Sequence, residues 1–92
     1  MKDVEEIGKR IKQIRTARGL TQTEFGELFG ADQPVVSRME NKGDGLYDLS
    51  KIQAVAAALE VHYLYLLEGD GIRDYLEKKG HSVPTKIIWK KV

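Results

Sequence analysis

Residues 21–40, TQTEFGELFGADQPVVSRME, decide how this chain reads. They hold two short helical patterns with Gly30 between them. The first opens on Thr21, and Glu24 follows three residues later. A hydroxyl and a carboxylate at that spacing satisfy each other's free backbone amides at the start of a helix. The second opens on Asp32, a strong cap, and places Pro34 in its first turn, where a missing N–H costs nothing. Phe25, Leu28 and Phe29 give the first pattern an apolar stripe, and Val36 and Met39 give the second a narrower one. Gln33, Pro34, Val35, Ser37 and Arg38 are left to face outward. Amide, hydroxyl and guanidinium groups hydrogen-bond base edges, and a valine methyl touches thymine.

Two helices joined this way form a helix-turn-helix, with the second helix expected to read DNA. Working outward, Val4, Ile7, Ile11 and Ile14 recur at helical spacing, which predicts a first helix over residues 3–18. Gly19 follows where a left-handed residue is wanted. Residues 41–45, NKGDG, are a loop by composition. Asp48 caps a fourth helix with Ile52, Val55, Ala56 and Leu59 along one side. Its alanines (Ala54, Ala56, Ala57 and Ala58) favour helix and permit close approach. Residues 61–67 read as a short fifth helix ending at Gly69. The expected fold is all-α: five short helices in one bundle over residues 1–69, followed by an extension over 70–92.

The extension opens on Gly69-Asp70-Gly71, a break. Ile72, Tyr75 and Leu76 form one side of an expected two-turn helix that stops at Gly80. After Pro84 comes TKIIWKKV, β-branched and aromatic, with Ile87 and Trp89 on one side of an expected strand. A lone strand has no mate in a helical bundle. It pairs with a second subunit, packs on helices, or frays.

Composition excludes more than it assigns. The chain has 92 residues, enough for one small domain. It has no cysteine, so disulfides and thiolate metal sites are excluded. No apolar run approaches the roughly 18 residues of a membrane span, and MKDVEEIGK has no apolar core for a secretory signal. The expected compartment is the cytoplasm. His62 and His81 have no cysteine or dense carboxylate cluster beside them, and each reads as a surface or capping residue. Gly43 and Gly45 lack the lysine and hydroxyl of a phosphate-binding loop. No enzyme, metal or cofactor is expected. The net charge of +1 splits into +3 through Leu20, −6 from Thr21 to Asp70 and +4 from Gly71 onward. Such a middle gives moderate salt dependence per subunit, with pairing of subunits making up the affinity. Lys9, Arg10 and Lys12 read as a solvated face.

Residues 7–67 resemble the Cro/phage-repressor (lambda-repressor-like) type of helix-turn-helix domain. The matching stretches are LTQTEF, LFGADQPVVSRMEN and LSKIQAVAAALEVHYLYLL. Leu-Thr-Gln opens the second helix and glycine stands at the turn. A β-branched residue then precedes Ser in the third helix, and Glu-Asn ends it. The resemblance implies a five-helix DNA-binding domain that acts as a dimer on a two-fold operator. It also implies residue roles. Gln22 binds a phosphate and buttresses Gln33, which reads adenine. Val35 meets a thymine methyl. Arg38 reaches a guanine or the flanking backbone, with a base favoured. Asn41 and Lys42 lie where relatives clamp phosphate; on the residues themselves, Thr21 reads as a phosphate-side group and Ser37 as a packed or phosphate-side hydroxyl before a base reader. Arg15 and Glu40 form a structural ion pair.

The sequence departs from the family pattern in three places. Gly26 replaces an alanine, Pro34 replaces a polar reader, and Asp44 stands where relatives are often basic. Dimer candidates are Tyr63, Leu64, Leu66 and Leu67 of the fifth helix, joined by Ile87 and Trp89 of the tail; Tyr63 and Tyr65 read as packing or dimer surface before ligand pocket. The function implied is a sequence-specific repressor acting as a homodimer on double-stranded DNA. An antitoxin that grips a toxin through its basic tail and represses their shared operon is the alternative. A protein-interaction adaptor that never touches DNA comes third. Half of a longer cleavable repressor ranks lower, since the chain is expected to be whole.

Overall fold

A computed structural model describes residues 3–69. The expected tail elements, with Ile72, Tyr75, Leu76, Ile87 and Trp89, lie outside the described residues. Five helices follow one another: α1 (Val4–Ala17), α2 (Gln22–Glu27), α3 (Gln33–Lys42), α4 (Leu49–Leu59) and α5 (Tyr63–Glu68). This is the all-α bundle that the sequence pattern predicts.

Each helix starts where a side chain satisfies a free amide. Asp3, Thr21, Asp32 and Asp48 accept from the N–H groups of Glu5, Glu24, Val35 and Ser50. The start of α5 differs from expectation. His62 Nδ1 accepts from the Leu64 N–H at 3.1 Å, so the helix begins at Tyr63 and not at Val61. The two residues before His62 are used in leaving α4, where Glu60 adopts φ 61° and the Val61 N–H donates to the Ala56 carbonyl. Gly19, at φ 75°, turns the chain out of α1 as expected.

The core is drawn from every helix. Ile7, Ile11 and Ile14 of α1 meet Phe25, Val36, Met39, Ile52, Val55, Ala56, Leu59, Tyr65 and Leu66, with Leu46 added from the loop. Taking each large side chain from water contributes roughly 1.5–3 kcal/mol. Phe29 is partly buried and packs edge-on against Phe25, ring centroids 4.8 Å apart.

Two glycines set how closely the helices approach. A Cβ on Gly8 would stand 2.5 Å from the Met39 carbonyl oxygen, so α1 crosses α3 backbone against backbone. A Cβ on Gly26 would overlap the Ala31 carbonyl oxygen. A side chain has no room there: the α2–α3 turn folds back onto Gly26, and the Ala31 N–H donates to the Gly26 carbonyl at 2.9 Å.

Three further expectations are corrected. Leu28 is 57% exposed and takes no part in the core. Leu28 is the C-terminal cap of α2 and faces outward, while Phe29, the next residue, turns back onto Phe25 and takes the place in the stripe. Leu66 is fully buried and belongs to the core, not to a dimer surface. Arg10 does not join a solvated face. Its Nη1 donates to the Leu66 carbonyl at 2.8 Å and to the Leu67 carbonyl at 3.3 Å, closing the open end of α5 onto α1. Lys9 and Lys12 are exposed as expected.

Candidate nucleic-acid interface

The turn between α2 and α3 is built from local bonds. The Glu24 N–H donates to Thr21 Oγ1 at 3.0 Å, and the Thr21 N–H donates to Glu24 Oε1 at 2.9 Å, so the capping pair is complete. Asp32 Oδ1 accepts from the Val35 N–H at 3.3 Å, and Pro34 sits in the first turn of α3. With both helix starts fixed, packing rotates α3. Val36, Met39 and Glu40 turn inward. Gln33, Pro34, Arg38, Asn41 and Lys42 are exposed, while Val35 and Ser37 are half-buried.

Behind the exposed row runs a chain of polar contacts from the core to the surface. The Glu40 carboxylate is fully buried. Arg15 Nε donates to its Oε2 at 2.6 Å and Arg15 Nη2 to its Oε1 at 3.2 Å, the expected ion pair between α1 and the end of α3. A third guanidinium nitrogen, Nη1, donates to the Leu20 carbonyl at 2.7 Å, which ties down the α1–α2 connection. Gln22 Nε2 donates to Glu40 Oε1 at 3.1 Å. Gln33 Nε2 then donates to Gln22 Oε1 at 2.7 Å. The carboxylate thus has donors on both oxygens, the condition under which a buried charge is tolerated. Gln22 stands between Glu40 and Gln33, bonded to both.

The far end of α3 is more loosely held. Arg38 Nε lies 3.8 Å from Asp44 Oδ2, and both side chains are more than half exposed. A pair so exposed is worth little and yields readily to another anion. Asn41 Nδ2 donates to Ser37 Oγ at 3.2 Å, and Lys42 completes the last turn before Gly43. Thr21 is exposed, but its hydroxyl already accepts the Glu24 amide. The fold therefore gathers Thr21, Gln22, Gln33, Val35, Ser37, Arg38, Asn41 and Lys42 on α2, its cap and α3. Among the described residues no cluster of carboxylates and imidazoles could hold a metal. None of the described helices is long and apolar enough to cross a membrane.

A second surface has a different character. Val4, Ile7, Leu46, Tyr47, Leu49, Ile52 and Leu67 line an apolar groove, with Tyr47 71% and Leu49 48% exposed at its rim. Sequence reading passed over it because Leu46 and Tyr47 fall in a loop, where helical periodicity gives no signal. It also missed the bond from Gln22 to Glu40, which spans 18 residues and has no local signature. Of the expected dimer residues, Tyr63, Leu64 and Leu67 are half-buried on α5.

Residues 11–66 match the family model described as helix-turn-helix. An uncharacterized HTH-type transcriptional regulator of Sinorhizobium fredii is 30% identical over 80 residues, covering 87% of this chain and 54% of that protein. The chain thus spans about half the length of the curated relative it matches. No solved structure matches the chain.

Proposed function

We propose that this chain, which belongs to the Cro/C1-type helix-turn-helix family, is a sequence-specific DNA-binding transcription regulator that represses from a two-fold operator as a homodimer. The observation that carries the reading is the exposed row of α3, headed by a Gln33 amide that Gln22 holds in place at 2.7 Å. A side chain held by a neighbour loses less freedom on binding than one that waves in water.

In this reading the start of α2 lies on a phosphate, with its free amides and the Thr21 and Gln22 side chains toward the backbone. α3 enters the major groove. Gln33 reads adenine, Val35 meets a thymine methyl, and Arg38 leaves Asp44 for a guanine edge. Ser37, Asn41 and Lys42 set the register on phosphates. Two copies span half-sites about 34 Å apart, one helical turn. Tyr63, Leu64 and Leu67 of α5 are the dimer residues of this reading, and repression follows from blocking polymerase. In this reading the protein is not an enzyme and works in the cytoplasm.

Selecting bound duplexes from a random pool tests this directly. The expected product is a palindromic site with a single spacing. Recovery of random sequence at low salt would remove the claim of specificity, and a single unrepeated half-site would remove the dimer.

A further inference from the structure

From the hydrogen bonds behind α3 we infer that Glu40, at the far end of that chain of contacts, is a positioning residue: it fixes which way round the Gln33 amide faces, and so which purine Gln33 prefers. The inference rests on Gln33 being a base reader.

A carboxylate can only accept hydrogen bonds. Glu40 is buried and held by Arg15 at 2.6 Å, so its Oε1 presents a fixed acceptor to α2. Gln22 must therefore turn its NH2 inward, as it does at 3.1 Å. A reversed amide would set oxygen against oxygen. With its NH2 inward, Gln22 shows its carbonyl oxygen to α3. That oxygen can only accept, so Gln33 must spend an N–H on it, as it does at 2.7 Å. Gln33 keeps one N–H and its carbonyl oxygen. In the major groove adenine offers one acceptor, N7, and one donor, N6–H, which that remaining pair satisfies. Guanine offers two acceptors, N7 and O6. The amide is one donor short of guanine because Gln22 holds the other. Two glutamines alone do not fix this order, since both amides could turn together. The buried carboxylate does.

Glu40→Gln tests the relay by reversing it. Arg15 donates to both carboxylate oxygens, so one of its contacts is lost in either orientation. The shorter, from Nε at 2.6 Å, keeps the new carbonyl oxygen, and the new NH2 takes the Oε1 place, giving up the 3.2 Å contact to Nη2 and facing Gln22. Gln22 and Gln33 then both turn over, and Gln33 shows two N–H groups to the groove. Sites selected from a random pool should shift at one position per half-site from adenine toward guanine, by roughly tenfold in their ratio, with the remaining positions unchanged. Gln22→Met leaves the buried ion pair intact and cuts the relay, so the same position should lose its preference without reversing. A folded Glu40→Gln variant with the original purine ratio would overturn the inference, as would a loss of affinity spread evenly over all positions. If Glu40→Gln does not fold, an unrelaxed purine preference in Gln22→Met overturns it alone. Failure of the unaltered protein to select any sequence would instead sink the reading of Gln33 as a reader, and the relay with it.

Discussion

The two faces of α3 share the same ten residues and the same turns, yet they are governed by different forces. The inner face, Val36, Met39 and Glu40, is buried, and its neighbours dictate each residue. Val36 and Met39 fill the core, and Glu40 has Arg15 and Gln22 on its two oxygens. The outer face, Gln33, Arg38, Asn41 and Lys42, touches no core and makes only polar contacts of low cost. The lesson is a division of labour. The inner face can be changed only with its partners, while the outer face can be rewritten for a new target with little effect on folding.

Variants on each face should therefore fall into opposite classes. The largest effect belongs to the inner face. Glu40→Ala strands the Arg15 guanidinium beside the core, and breaking such a pair costs about 3–5 kcal/mol; urea unfolding should show that loss in its midpoint. On the outer face, Gln33→Ala should leave stability within about 0.5 kcal/mol and cost about 1–3 kcal/mol of discrimination at one base pair. Competition between duplexes differing only there measures it. A stability loss like that of Glu40→Ala would erase the distinction between the faces.

Smaller changes sharpen the boundary. Thr21→Ala removes half of the capping pair and should cost about 1 kcal/mol of stability, read from thermal unfolding, while leaving base preference intact. Asp44→Asn removes the weak hold on Arg38. Stability should move by less than about 0.5 kcal/mol, and binding to any duplex should tighten modestly as one charge facing phosphate is lost. Titration at two salt concentrations separates that gain from a change in specificity.

Much of this was legible in the sequence because it is local. Thr21 with Glu24, Asp32 with Pro34, and Asp48 ahead of an alanine-rich run are signals within one turn, and each starts a helix where expected. The isoleucines of α1 repeat at the helical period and are all buried. The misreadings involve contacts between distant segments. Arg10 looks like one of three surface charges until α5 brings the Leu66 carbonyl to it. Leu66 looks like its neighbours on α5 until burial separates it from Leu64. Leu28 looks like Phe25 and Phe29 until the turn after α2 packs Phe29 on the core and leaves Leu28 outside.

Chain order alone determined the first four helices, the caps of α2, α3 and α4 and the identity of the row from Gln33 to Lys42, because those depend on interactions spanning three or four residues. Tertiary structure decided which side of each helix is covered and, through Glu40 and Gln22, how a surface amide is aligned. A carboxylate excluded from water must be met by donors wherever they lie in the chain, and the ones that meet it here come from α1 and α2.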